Sequence, residues 1–337
     1  MILNYSSSPQ ISNSLWGMFI ADALAMPVHW YYDTKALARD YGKVTGFLEP
    51  KNPHPDSILW RSHYTPLNES GNILHDQDVF WGKKGIHYHQ FLRQGENSLN
   101  LKLARQLLIL LQEDQAYTPR SWLKRMISYL QDPTSHRDTY VEEYLRHFFT
   151  EFAKGRRPEQ CGRQDENHIG GFSLMLPMLF TYSDEPDQVA DRALSHLALT
   201  HGGAKMRFWG TIISNIFIAL WNGNTLEQSI DSAFARSTVS YRIDDLSSLF
   251  AFPDDVVIRQ HFSSACYVEY AVPATLYLAL KYQQEPEEAL IVNTMCGGDN
   301  CGRGALLGAI LGSIAGTKWP SRWLDGLLEP PPEISRH

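Results

Sequence analysis

The stretch from Cys296 to Gly316 constrains the fold more than any other part of this chain. A glycine-rich polar turn, Cys-Gly-Gly-Asp-Asn-Cys-Gly, runs directly into an apolar helix. Gly304, Gly308, Gly312 and Gly316 recur every fourth residue, so they share one face. Glycine inside a helix costs about 1 kcal/mol relative to alanine. Four in register therefore predict the close approach of a second helix. A partner is visible at the other end of the chain, where Gly17, Ala21 and Ala25 keep the same spacing ahead of Pro27. Crossing of these two small-residue faces would bring both ends of the chain, with Asp22 and Asp299, to one site.

Apolar residues at three- and four-residue spacing predict helices over 11–28, 99–114, 119–131, 138–154, 187–199, 204–221, 225–236, 265–282, 285–296 and 303–316. Alternating runs are few, and breakers such as Asp132-Pro133 and Asn222-Gly-Asn fall between the helices. With no repeat and no low-complexity linker, the expectation is one all-α domain spanning 1–337, its core at 11–317. Residues 42–98 form the main non-helical stretch, and their aromatics (Trp60, Tyr64, Phe80, Trp81) predict packing rather than disorder. A net charge of -7 without basic runs argues against a nucleic-acid partner. The apolar run 305–315 is shorter than a membrane span, and no signal-peptide pattern opens the chain. Four cysteines without C-x-x-C pairing read as free thiols of a cytoplasmic protein.

Four clusters could carry chemistry. Asp299, followed by Asn300, Cys301 and Arg303, caps a helix; an anion turn, a metal carboxylate and a plain N-cap all suit that place. His87 and His89 would share one side of an extended segment, and Glu96 and Asn97 follow just before the next helix. Gly170, Gly171 and Ser173 open a buried helix after His168. Thr200-His201-Gly-Gly ends another.

The order of these clusters resembles the ADP-ribosylglycohydrolase family, which includes the dinitrogenase-reductase-activating glycohydrolases and the J1 crystallins. The family's Gly-Asp-Ala-Leu-Gly opening with its Pro and Glu is similar to Ala21 through His29. Its Gly-x-x-Met-x-x-x-Pro helix is similar to Gly170 through Pro177, and its Ser-x-x-Thr-His segment to Leu197 through His201. Its closing Gly-Gly-Asp-Thr-Asp-Thr with the small-residue helix resembles Gly297 onward. The resemblance implies an orthogonal all-α fold of that type and a cleft formed by 22–29, 85–97, 168–173 and 297–303. It also implies a ribosyl or ADP-ribosyl substrate, small or protein-linked, with phosphates on the amides of Gly170, Gly171, Gly297 and Gly298.

The departures fall on the family's two-magnesium ligands. His29 stands for the early Glu, Ile86-His87-Tyr88 for the Thr-Asp-Asp run, and Cys301-Gly302 for the final Asp-Thr, leaving Asp299. Three readings follow. In the first, a divergent hydrolase cleaves an N- or O-glycosidic bond to ribose without the full dinuclear magnesium site. Asp22 or Asp299 would orient water, and His29, His87 or His89 would move protons. In a variant of it, Asp299, Cys301 and His29 hold zinc or another transition metal instead. The third is an inactive nucleotide-binding or crystallin-like structural protein. The first is preferred, because histidines and a thiol are chemically capable replacements. A separate reading makes Cys301, at a helix N-terminus, a nucleophile of lowered pKa.

Overall fold

The computed structural model describes residues 9–113, 117–235, 237 and 242–332. Its helices are α1 (Pro9–Ala25), α2 (Thr34–Tyr41), α3 (Leu99–Gln112), α4 (Pro119–Gln131), α5 (Glu143–Ala153), α6 (Phe172–Thr181), α7 (Val189–Leu197) and α8 (Ala204–Trp221). There follow α9 (Leu226–Phe234), α10 (Ile243–Ser247), α11 (Asp254–Val256), α12 (Val268–Lys281), α13 (Pro286–Met295), α14 (Asn300–Gly312) and α15 (Ser321–Leu324). No strand forms among the described residues; two isolated bridges, Arg163 to His201 and His168 to Tyr267, are the extent of β pairing there. The four cysteines are unpaired.

The expected glycine crossing is the centre of this arrangement. A Cβ on Gly17 would overlap the Gly308 carbonyl oxygen, a Cβ on Gly308 would overlap that of Gly17, and one on Gly312 would overlap that of Asn13. The α1 and α14 backbones therefore touch, and any side chain at these positions would part them. Ser14 Oγ and Ser313 Oγ lie 2.6 Å apart, and Asn13 Nδ2 donates to Thr317 O at 2.8 Å, which clasps the crossing at its outer end. Gly316 departs from the expectation. The helix stops at Gly312, and Gly316 takes a left-handed φ of 88° in the turn beyond it.

Helix starts follow local chemistry. Thr118 and Ser121 form a capping box ahead of Pro119, and Thr225 and Gln228 form another. The helix expected over 138–154 begins instead at Glu143, so 138–142 runs extended and carries Asp138 and Glu142 inward. The α2, α10, α11 and α15 helices were not expected; each is eight residues or shorter, too brief for a periodic signal. The 42–98 stretch holds only 3-10 turns, as its composition predicts. It is anchored by Trp30, Leu59 and Tyr88, a small cluster apart from the main core. Tyr140 N donates to Tyr88 O at 3.0 Å, and Trp81 Nε1 to Thr139 O at 3.0 Å. These bonds lay the 85–92 loop against 138–142 and bring both to the end of α1.

Candidate active site

The site is assembled where α1 ends and α14 begins. Pro27 stops α1, and a 3-10 turn over Met26–Val28 delivers His29. Trp30 N donates to Gly298 O at 2.9 Å, and Gly298 N to Tyr31 O at 2.7 Å. Gly297 and Gly298 both have positive φ, and a Cβ on either would overlap the Tyr31 or Ser264 carbonyl oxygen. Only glycine permits that approach, and it fixes His29 beside Asp299. The Trp30 ring stacks on His29, centroids 3.9 Å apart.

From Asp299 a chain of buried polar groups crosses the site. Asp299 Oδ1 lies 3.1 Å from His29 Nε2, and His29 Nδ1 lies 2.7 Å from His89 Nε2. His89 Nδ1 is 2.6 Å from Asp138 Oδ1, and Asp138 Oδ2 accepts the Leu99 amide at 2.9 Å. All four side chains are almost wholly buried. The cavity beside this chain has a water-accessible volume of about 10 Å³, enough for about one water molecule. Asp22, Tyr140, Glu142 and Ser173 line it together with Asp299.

Two carboxyls of this cavity are pushed in opposite directions. Burial raises the pKa of Glu142 to about 7; His168 opposes the rise and Asp299 adds to it. Burial also works against ionised Asp299, but the His29 hydrogen bond, nearby His168 and the Gly302 amide hold its carboxyl well below the usual range. Its Oδ2 is buried and has no hydrogen-bond partner. His168 Nε2 stands between the two acids, 3.5 Å from Asp299 Oδ2 and 3.7 Å from Glu142 Oε2. Since His168 Nδ1 accepts the Gly170 amide at 2.9 Å, the ring presents Nε2–H to them.

Of the residues singled out in the sequence, Asp22, His29, His89, Ser173, Asp299 and Cys301 line this cavity. The others lie elsewhere, and most have a packing task. His87 Nε2 is bound to Pro27 O at 3.0 Å, and its Nδ1 accepts the His89 amide at 3.0 Å. Glu96 is paired with Lys102 at 2.9 Å, and Asn97 donates to Asp22 Oδ2 at 2.9 Å. Asn300 Nδ2 reaches Val28 O and Thr294 O. Arg303, fully buried, ties Nε to Asn293 Oδ1 at 2.7 Å and Nη2 to Gly297 O at 2.8 Å. The phosphate role expected of four glycine amides is not supported by their bonds. Gly170 N and Gly171 N donate to His168, Gly297 N to Thr294 O and Gly298 N to Tyr31 O.

The surroundings of Cys301 do not favour a nucleophilic thiol either. Its Sγ lies 3.6 Å from Asp22 O, and burial with Asp22 and Asp299 alongside pushes the thiol well above its usual pKa. Ile86-His87-Tyr88 does not oppose Asp299 either; the start of α3, from Ser98 to Leu101, lines the cavity there.

The donor set does not fit two magnesium ions, which take oxygen ligands. Asp22 Oδ2 accepts from Asn97 and the Ser98 amide, and its Oδ1 accepts the Ser98 hydroxyl at 2.7 Å. The ring nitrogens of His29 and His89 are all engaged. A group of the kind that can hold a metal does exist around Asp299, but with His168 and Cys266, their donor atoms within 4.8 Å of one another. Imidazole, thiol and carboxylate suit a borderline cation such as zinc. Ligation by His168 Nε2 would conflict with the bond at Nδ1, because ligating histidines normally donate from their other nitrogen.

Glu142, Asp138 and Cys266 are functional candidates that sequence reasoning missed, and His168 was named only as the polar start of its cluster, with no role. No spacing marks them. The one signal was the polar residue His168 ahead of the Gly170-Gly171 pair.

The family model for ADP-ribosylglycohydrolase matches residues 8–336 of this chain. A solved structure described as "ADP-ribosylglycohydrolase-related protein complex" aligns with a TM-score of 0.53 and 16% identity, over 94% of this chain and 93% of that one. At that identity the likeness concerns the fold alone. No curated protein matches the chain.

Proposed function

The chain belongs to the ADP-ribosylglycohydrolase family, and from that premise we propose that it hydrolyses an N- or O-glycosidic bond to ribose in an ADP-ribosylated or related compound, without a dinuclear magnesium centre. The observation that carries this reading is the divided pair of buried carboxyls, Glu142 raised to about 7 and Asp299 held low, on one cavity. Acids whose environments part their pKa values in this way supply an acid and a permanent anion at neutral pH.

Protonated Glu142 gives its proton to the leaving nitrogen or oxygen as the bond to ribose C1 breaks. The electron pair of that bond leaves with the aglycone, and the ribosyl cation forms beside ionised Asp299, which requires the cavity to widen from its present one-water volume. Water adds to C1, and its proton returns to the Glu142 carboxylate. Asp299 stays ionised throughout, which is what stabilises developing positive charge in a site closed to solvent. His29, with Nε2 on Asp299 Oδ1, holds the carboxylate in place and leaves Oδ2 without a hydrogen-bond partner.

The test is release of ADP-ribose from ADP-ribosylated protein and of ribose from ribosyl compounds, in chelator. Glu142→Gln should lower turnover on the order of 10²-fold or more while ADP-ribose binding persists. Full activity in that variant would refute the assignment. The limiting rate should fall as pH rises through about 7, because the acid form of Glu142 is the one consumed.

A further inference from the structure

The contact between His29 and His89 has a consequence for charge. Asp299 Oδ1 accepts the Gly302 amide at 3.0 Å and Asp138 Oδ2 accepts the Leu99 amide, as carboxylates do. Each therefore requires an N–H from the histidine nitrogen it faces, His29 Nε2 and His89 Nδ1. Between the rings, Nδ1 and Nε2 stand 2.7 Å apart. Two lone pairs would repel at that distance, and two N–H groups would collide. One proton fits. The two rings then carry three N–H hydrogens, one more than two neutral imidazoles hold.

We propose that His29 and His89 share one proton, and that this buried imidazolium pair is the resident cation of the site, standing where a divalent ion would otherwise compensate the carboxylates. Moving that proton toward Asp138 changes its address and leaves the count intact. The charges facing the pair are consistent with this. Asp138, from the extended segment before α5, and Asp299, from the α14 cap, bond the pair directly; Glu142 and Asp22, whose pKa values burial raises, line the same cavity, and His168 faces the other oxygen of Asp299. His54 and His87, which pack nearby, are kept neutral by burial. Burial disfavours charge on His29, whereas Asp138 draws the proton to His89 despite burial. A magnesium ion approaching Asp299 meets a positive charge bonded to one oxygen of that carboxylate and the His168 Nε2–H facing the other.

The inference concerns charge and not turnover, so it is tested apart from the hydrolase reading. In the full-length, ¹⁵N-labelled protein, histidine side-chain NMR should show one far-downfield, exchange-protected proton correlated with a nitrogen of each ring. That signal should vanish in His89→Gln, and the remaining ring should become neutral. Calorimetric titration of the wild-type protein with millimolar magnesium chloride alone should give no binding heat, and its Tm should be unchanged. Saturable magnesium binding with a raised Tm, or nitrogen shifts of two neutral rings without a shared proton, would overturn the proposal. The wild-type measurements decide it even where His89→Gln fails to fold.

Discussion

At the scale of single residues, Glu142 combines cost and use. An unfolded glutamate titrates near 4.5 and the folded one near 7, so its ionised form is destabilising in the fold. The cost is absent below pH 4.5, grows as pH rises, and is complete above about 7. Glu142→Gln should therefore be more stable than wild type at pH 8, by about 3 kcal/mol, and equal to it near pH 4. Denaturant unfolding at the two pH values checks this. A variant no more stable at pH 8 would mean that the carboxyl is not desolvated. The cysteines separate by exposure. Cys266 is partly exposed while Cys161, Cys296 and Cys301 are buried. Mass spectrometry after brief native alkylation with iodoacetamide should find Cys266 modified first, and early modification of Cys301 would contradict its burial.

Helical elements owe their placement to backbone contact as much as to apolar stripes. The α1–α14 crossing reverses the usual effect of a helix mutation. By intrinsic propensity Gly308→Ala should stabilise α14 by about 1 kcal/mol. Here the added Cβ meets the Gly17 carbonyl, and overpacking of that kind costs about 1–3 kcal/mol or more. The expected outcome is a net loss, read as a lowered denaturant midpoint, and a gain would show that the helices can part freely. Gly316→Ala is the control. Nothing lies within 4 Å of a Cβ there, so its cost, about 1 kcal/mol, comes from the left-handed φ alone.

For the whole molecule, the buried histidines set the response to acid. Burial lowers the pKa of His29, His54 and His136 to about 4, that of His196 to about 3, and those of His87 and His201 well below 6.5. Unfolded histidine binds a proton near 6.5, so between that pH and about 4 the unfolded state holds more protons. Stability then falls with falling pH, by about 1.4 kcal/mol per pH unit for each such group. His89, held charged by Asp138, adds nothing to that loss in the same range. Thermal unfolding from pH 7 to pH 5 should show a steep drop in Tm, and a flat profile would mean that these rings are solvated. Much of this architecture was legible beforehand. The periodic helices, the small faces of α1 and α14, and the ordered motifs that indicate the family are local or repeating features, and spacing along one chain determines them. It was the tertiary structure that decided the chemistry. His29 and His89 were nameable as capable groups, but their partners Asp299 and Asp138 come from distant segments, and Glu142 carries no motif at all. Gly297 and Gly298 show the reverse case, a motif read as phosphate-binding whose amides are spent on Tyr31 and Thr294. Hydrogen-bond satisfaction and desolvation depend on what surrounds a group in space, so residue type and spacing alone do not contain them.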